Sequence, residues 1–191
     1  STLKPFIAGR MVENERARLD EVIDTYNGIY KTPCRTLTDV HKADRLSLAD
    51  VIKFSSNIGI ARFSERLSRR ELYEILRDFG FGAPTGVSYP SEAGGVLREP
   101  KLWSCSSQAS MAIGYEVSVT AVQLAAAYGA IANDGLLLVP TLVKSIRDAA
   151  GEEASTFVDG TGLATAILGD SIATNLFMLG YAWQKGLIPL S

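Results

Sequence analysis

The chain opens on Ser1-Thr2-Leu3-Lys4, a hydroxyl and an amine three positions apart. On a helix, residues i and i+3 share a face, so the two groups can come within hydrogen-bond reach. A serine hydroxyl is a weak nucleophile until a neighbour takes its proton. A lysine can do that only if burial or nearby cations lower its pKa enough to leave it neutral. A helix N-terminus at the same place adds a positive field and free N–H groups for a forming alkoxide. Ser1 is therefore a candidate nucleophile and Lys4 a candidate base. Alone the pattern carries little, because S-x-x-K arises on the order of once by chance in a chain of this size.

A second polar cluster, Ser55-Ser56-Asn57, follows about fifty residues later, where one helical pattern stops and another restarts. A Ser and an Asn two apart on a tight loop can both face one cleft. The hydroxyl of Ser55 can then relay a proton, and the amide of Asn57 can hold a lysine or a substrate carbonyl. Ser and Asn are also ordinary cap residues, so this motif too is weak by itself.

Together the two fit a three-part pattern, S-x-x-K with an S-x-N triplet and K-T-G, found in penicillin-binding proteins and class A β-lactamases. The sequence around them resembles the class B penicillin-binding proteins, monofunctional transpeptidases of cell division and elongation. Ser1-Thr2-Leu3-Lys4-Pro5-Phe6 is similar to the family's nucleophile helix, and the stretch from Leu48 to Gly59 to its segment entering the second motif. Phe79-Gly80-Phe81-Gly82-Ala83-Pro84-Thr85-Gly86 resembles the family's F-G-F-G-x-x-T-G. Ala112-Ile113-Gly114-Tyr115, Val119 to Ala125 and Ile131-Ala132-Asn133-Asp134-Gly135 resemble its G-x-G-x-x-V-T-P-x-Q-x-A helix and that helix's close. The resemblance runs over residues 1–153.

This resemblance implies an α+β fold of the penicillin-binding protein and β-lactamase type, of which the chain holds mainly the helical subdomain with part of the antiparallel sheet. It implies Ser1 as the acylated nucleophile, Lys4 as its base, and Ser55 and Asn57 as residues that relay protons and hold substrate. The implied partners are the D-alanyl-D-alanine end of a peptidoglycan stem peptide and β-lactams, with no cofactor and no metal. The parent protein would be membrane-anchored on the outer face of the bacterial inner membrane, in a division or elongation complex. A β-lactamase, a penicillin sensor of the same fold, or an inactive fragment are the alternative expectations.

Two departures bear on activity. The sequence has no Lys-Thr-Gly; Asp159-Gly160-Thr161-Gly162 is the nearest match and puts an acid where the cation that meets a substrate carboxylate belongs. Residues 154–191 form a separate, small-residue apolar tail, and 157–191 resemble a piece of the indolepyruvate and 2-oxoacid ferredoxin oxidoreductases. The tail has no cysteine spacing for an iron–sulfur cluster. A junction between unrelated reading frames accounts for both departures, and a truncated sheet implies exposed edges and marginal stability.

The elements that must position these residues are legible in part. A first helix is expected from residue 1 to about 22, capped by Ser1 or Thr2 with Pro5 in the first turn. Asn27-Gly28 predicts a hairpin pairing 22–26 with 29–31. Ser47 with Asp50 reads as a capping box for a helix over 48–54; a second helix restarts at 55–57, and Ser68 caps a third over 69–79. Residues 83–110 read as a long surface excursion, 120–133 as a strong helix, and 136–147 as two short strands about Pro140.

The composition, 47% hydrophobic and 21% charged, is that of a globular domain, and a formal charge of -2 gives no electrostatic reason to expect nucleic acid. Cys34 and Cys105 are expected to be unpaired thiols, at least one buried, and His41 has no second ligand near it in sequence.

Overall fold

A computed structural model describes residues 2–87 and 91–141. Residues 1–87 and 92–140 form one compact unit, and 88–91 with 141–191 form a second. Ser1, the tail from 154 and the boundary at 153 lie outside the described residues.

The first unit is a set of helices edged by short antiparallel ribbons. Helix α1 spans Lys4–Glu13, α2 Leu48–Lys53, α3 Asn57–Ser64, α4 Arg69–Asp78, α5 Ser107–Ile113 and α6 Ala121–Ala132. Strands β1 (Val22–Asp24) and β4 (Arg45–Ser47) pair, as do β2 (Ile29–Lys31) with β3 (Thr36–Thr38), and β5 (Val96–Leu97) with β6 (Val117–Ser118).

Helix α3 is the hub. Ile58, Gly59, Ile60, Ala61, Phe63 and Ser64 are all buried, the pattern of a helix covered on every side. A Cβ on Gly59 would lie 2.2 Å from Val51 Cγ2, so α2 and α3 approach to a distance that only glycine permits. Gln108 of α5 donates to the Ser64 and Leu67 carbonyls, satisfying the chain where α3 ends.

Two caps predicted from sequence, Ser47 and Ser68, are present, and Thr120 supplies a third. Ser68 with Glu71 and Thr120 with Gln123 form full capping boxes on α4 and α6. Ser47 caps α2 by accepting from the Asp50 N–H, although the Asp50 carboxylate accepts the Ser47 hydroxyl instead of reaching back to the backbone.

Helix α1 is shorter than expected at both ends. Its N-cap is Leu3, without a side-chain cap, and it stops at Glu13 because Glu15 turns left-handed (φ 55°). The Arg16 and Ala17 N–H groups then fold back onto the Met11 carbonyl, and the polar run from Glu13 has no apolar stripe to extend the helix.

The hairpin at Asn27-Gly28 is also corrected. Positive φ at Tyr26, Asn27 and Gly28 makes the turn, but Thr25 donates through its N–H to the Asp44 carbonyl and through its hydroxyl to the Ala43 carbonyl. Strand β1 is thereby committed to β4, and β2 pairs with β3. Within 83–110, Trp103 is buried and Ser107 begins α5, so that stretch is only partly a surface excursion. Residues 136–141 are irregular, and the rest of the predicted strand pair lies outside the described residues.

The cysteines are a further correction. Cys34 and Cys105, both exposed, form a disulfide with Cα atoms 5.9 Å apart. Separation along the chain misleads here: the turn between β2 and β3 and the segment before α5 converge beside α3. Closing a 71-residue separation removes unfolded-state entropy worth about 4 kcal/mol in a simple chain model. Reducing the bond, or Cys34→Ser, should therefore lower the thermal midpoint by several degrees in a calorimetric melt. An unchanged midpoint would show that the bond does not constrain the unfolded chain.

Candidate active site

The first turn of α1 is held by aromatic packing. Phe6 is fully buried, with the rings of Phe79, Phe81 and Tyr128 at 4.8, 5.3 and 4.7 Å. Gly80 (φ 84°) and Gly82 (φ 78°) give the chain the left-handed turns that let both phenylalanines face Phe6. The Tyr128 hydroxyl donates to the Thr2 carbonyl at 2.9 Å, which ties α6 to the residue next to Ser1.

Lys4, the first helical residue, is only 2% exposed. Its Nζ donates to three oxygens: the Ser55 carbonyl at 2.5 Å, Ser55 Oγ at 3.1 Å and Asn57 Oδ1 at 2.8 Å. An ammonium has three protons, so this is a full complement. Burial brings the Lys4 pKa down to about 8, against a smaller upward pull from Asp39. Three of the four residues singled out from sequence, Lys4, Ser55 and Asn57, thus converge; Ser1 lies outside the described residues.

The turn that delivers Ser55 and Asn57 is built for the purpose. Phe54 ends α2, and Ser55 adopts φ 55°, a conformation unfavourable for a residue with a Cβ. This lets its carbonyl and its hydroxyl both face Lys4. Ser56 caps α3 by accepting from the Gly59 N–H at 2.8 Å. Asn57 is oriented from both sides, with Oδ1 on the Lys4 ammonium and Nδ2 donating to the Thr38 carbonyl at 3.2 Å.

Sequence reasoning missed Asp39. This buried carboxylate follows β3 directly and accepts the Ser56 hydroxyl at 2.5 Å, the Asn57 N–H at 2.6 Å and the Ile58 N–H at 3.1 Å. No local signal marks it, because all three partners lie 17 to 19 residues away. Among the described residues no group of three or more His, Cys, Asp and Glu side chains could hold a metal ion.

The fold is that of a penicillin-binding protein transpeptidase domain, as the similarities show. The family described as "Penicillin binding protein transpeptidase domain" matches residues 1–164, and the chain belongs to it. The match extends past residue 153, into the segment that reads as a separate tail. The probable peptidoglycan D,D-transpeptidase PenA of Neisseria gonorrhoeae is 31% identical over 138 residues, 72% of this chain and 23% of that protein. Penicillin-binding protein PbpB of Mycolicibacterium smegmatis is 34% identical over 147 residues, 76% of this chain and 22% of that protein. Among solved structures, the transpeptidase domain of Burkholderia pseudomallei penicillin-binding protein 3 superposes with a TM-score of 0.71 at 33% identity, covering 74% of this chain and 43% of that one. Penicillin-binding protein 3 of Mycobacterium tuberculosis complexed with ampicillin gives 0.69 at 32%, covering 74% and 31%. The chain spans less than a quarter of the length of these two relatives.

The lowered Lys4 pKa fixes the sign of a pH effect. Between about 8 and the ordinary 10.5, the unfolded chain holds a proton at Lys4 that the folded chain has released, so this group stabilises the fold increasingly as pH rises through that window. The contribution is lost as pH falls through about 8. Denaturant titrations at pH 7.5 and 10 should show wild type gaining stability relative to Lys4→Met at the higher pH. A constant difference would contradict the shift.

Proposed function

We propose that this chain carries the helical half of a peptidoglycan D,D-transpeptidase site, with Ser1 as nucleophile and Lys4 as its base. The observation that supports this best is the buried Lys4 amine, already lowered toward neutrality and held by the two residues of the S-x-N motif.

The chemistry follows from the donor inventory. The Ser55 carbonyl and Asn57 Oδ1 can only accept, so they favour the charged amine. Ser55 Oγ can accept from an ammonium or donate to a neutral amine, so it can pass a proton to or from Lys4 once the Lys4 lone pair is not engaged by Ser1. Lys4 in its neutral form takes the Ser1 proton as Ser1 Oγ adds to the penultimate D-alanine carbonyl of a stem peptide. Collapse of the tetrahedral intermediate breaks the peptide bond. The leaving D-alanine amine is protonated through Lys4 and Ser55, and an amine from a second stem peptide resolves the acyl-enzyme. A β-lactam carbonyl enters the same step, its ring nitrogen taking the proton.

The parent protein on this reading acts in the bacterial cell envelope, outside the inner membrane, anchored there within a division or elongation complex. The Cys34–Cys105 disulfide supports an oxidising compartment. Because the 191 residues contain no Lys-Thr-Gly, a second reading stands beside the first, in which the isolated chain is inert and the 157–191 segment comes from a ferredoxin oxidoreductase-like frame.

Labelling with a fluorescent penicillin separates the two. On the first reading the chain is labelled covalently, and both Ser1→Ala and Lys4→Ala lose the label. No labelling of the wild-type chain would support the inert fragment.

A further inference from the structure

We propose that Asp39 is a positioning residue of this acyl-transfer site: its buried carboxylate holds the Ser56–Asn57–Ile58 turn in register and sets the charge felt by Lys4. The inference rests on the transpeptidase reading for its consequence in catalysis, but not for its geometry.

The geometric part follows from the three contacts. One oxygen of Asp39 takes the Asn57 and Ile58 N–H groups, the first two unsatisfied donors of α3, and the other takes the Ser56 hydroxyl. With its proton committed to Asp39, Ser56 Oγ presents a lone pair to the Gly59 N–H. One side chain thus fixes all three residues of the turn that aims Asn57 Oδ1 at Lys4. Asp39 also sits next to Thr38, whose carbonyl orients the other end of the Asn57 amide. The hairpin β2–β3, with Cys34 in its connecting turn, therefore connects to the turn that holds Lys4 through Thr38 and the adjoining Asp39.

The electrostatic part follows from what else surrounds the amine. Asp39 is the one charged group that acts on Lys4 among the described residues. Asp50 and Lys53 of α2, Arg62 of α3 and the six charged side chains of α4 do not add to it, and α5 carries none. His41, Lys42 and Asp44, just past Asp39, are exposed to solvent. Burial pulls the Lys4 pKa down and Asp39 limits the fall. A proton acceptor works best when its affinity lies near the working pH, since an amine pushed too low is a poor base.

Asp39→Asn tests this, because the amide keeps the shape and can still accept from the two N–H groups while removing the charge. The readouts are the pH profile of penicillin acylation and, independently, the titration of Lys4 followed by NMR of its side chain. The ascending limb of the profile and the Lys4 midpoint should both move to lower pH in Asp39→Asn. Asp39→Glu, which keeps the charge and disturbs the turn, should leave the limb in place while lowering the rate. Asp39→Ala, which loses all three bonds, should cut labelling about tenfold or more. A limb and midpoint unchanged in Asp39→Asn, or moved upward, would overturn the electrostatic role. Full labelling by Asp39→Ala would overturn the positioning role. Should the wild-type chain take no penicillin, the transpeptidase reading fails, while the Lys4 titration in wild type and Asp39→Asn still decides the electrostatic claim. If Asp39→Asn does not fold, the limb and midpoint of Asp39→Glu decide, a change in either counting against the proposal.

Discussion

A buried amine needs oxygens around it, and in this protein that need organises everything near it. Lys4 is removed from water at the start of α1, and leaving its protons without acceptors would cost several kcal/mol. The chain answers with three oxygens from one turn, two of them on Ser55. That turn must be left-handed at Ser55, must begin α3 at Asn57, and must meet α1 closely. The tight approach of α2 to α3 at Gly59 and the Asp39 brace serve those conditions. The aromatic cluster about Phe6 fixes the other partner, the first turn of α1.

The same arrangement separates structural from chemical demand. An ammonium held by two obligate acceptors is favoured by hydrogen bonding, while burial opposes its charge, and burial wins. The result is an amine whose pKa is brought down to about 8, from which a neutral form is within reach. A purely structural lysine has no need of that balance, whereas a base for a serine hydroxyl requires it.

What was legible in the sequence was local. Ser47 and Ser68 signal helix starts because a cap needs only residues three positions away, and both caps are present. Lys4, Ser55 and Asn57 were found because family motifs preserve order along the chain. The failures share a cause as well. The Asn27-Gly28 turn is real, but the partner of β1 is decided by Thr25 bonding to residues eighteen and nineteen positions on. Asp39 looks like any loop acid until α3 arrives beside it. Cys34 and Cys105 look unrelated until the hairpin and the start of α5 meet.

The protonation of Lys4 is the central claim, and it can be read directly. With lysine side chains isotopically labelled, and Lys4→Arg used for assignment, the Lys4 signal of the wild-type chain is followed from pH 6 to 11. A midpoint near 8 is the expected result. A midpoint at the ordinary 10.5 would mean that the three oxygens and Asp39 fully offset burial, and that Lys4 is a structural cation.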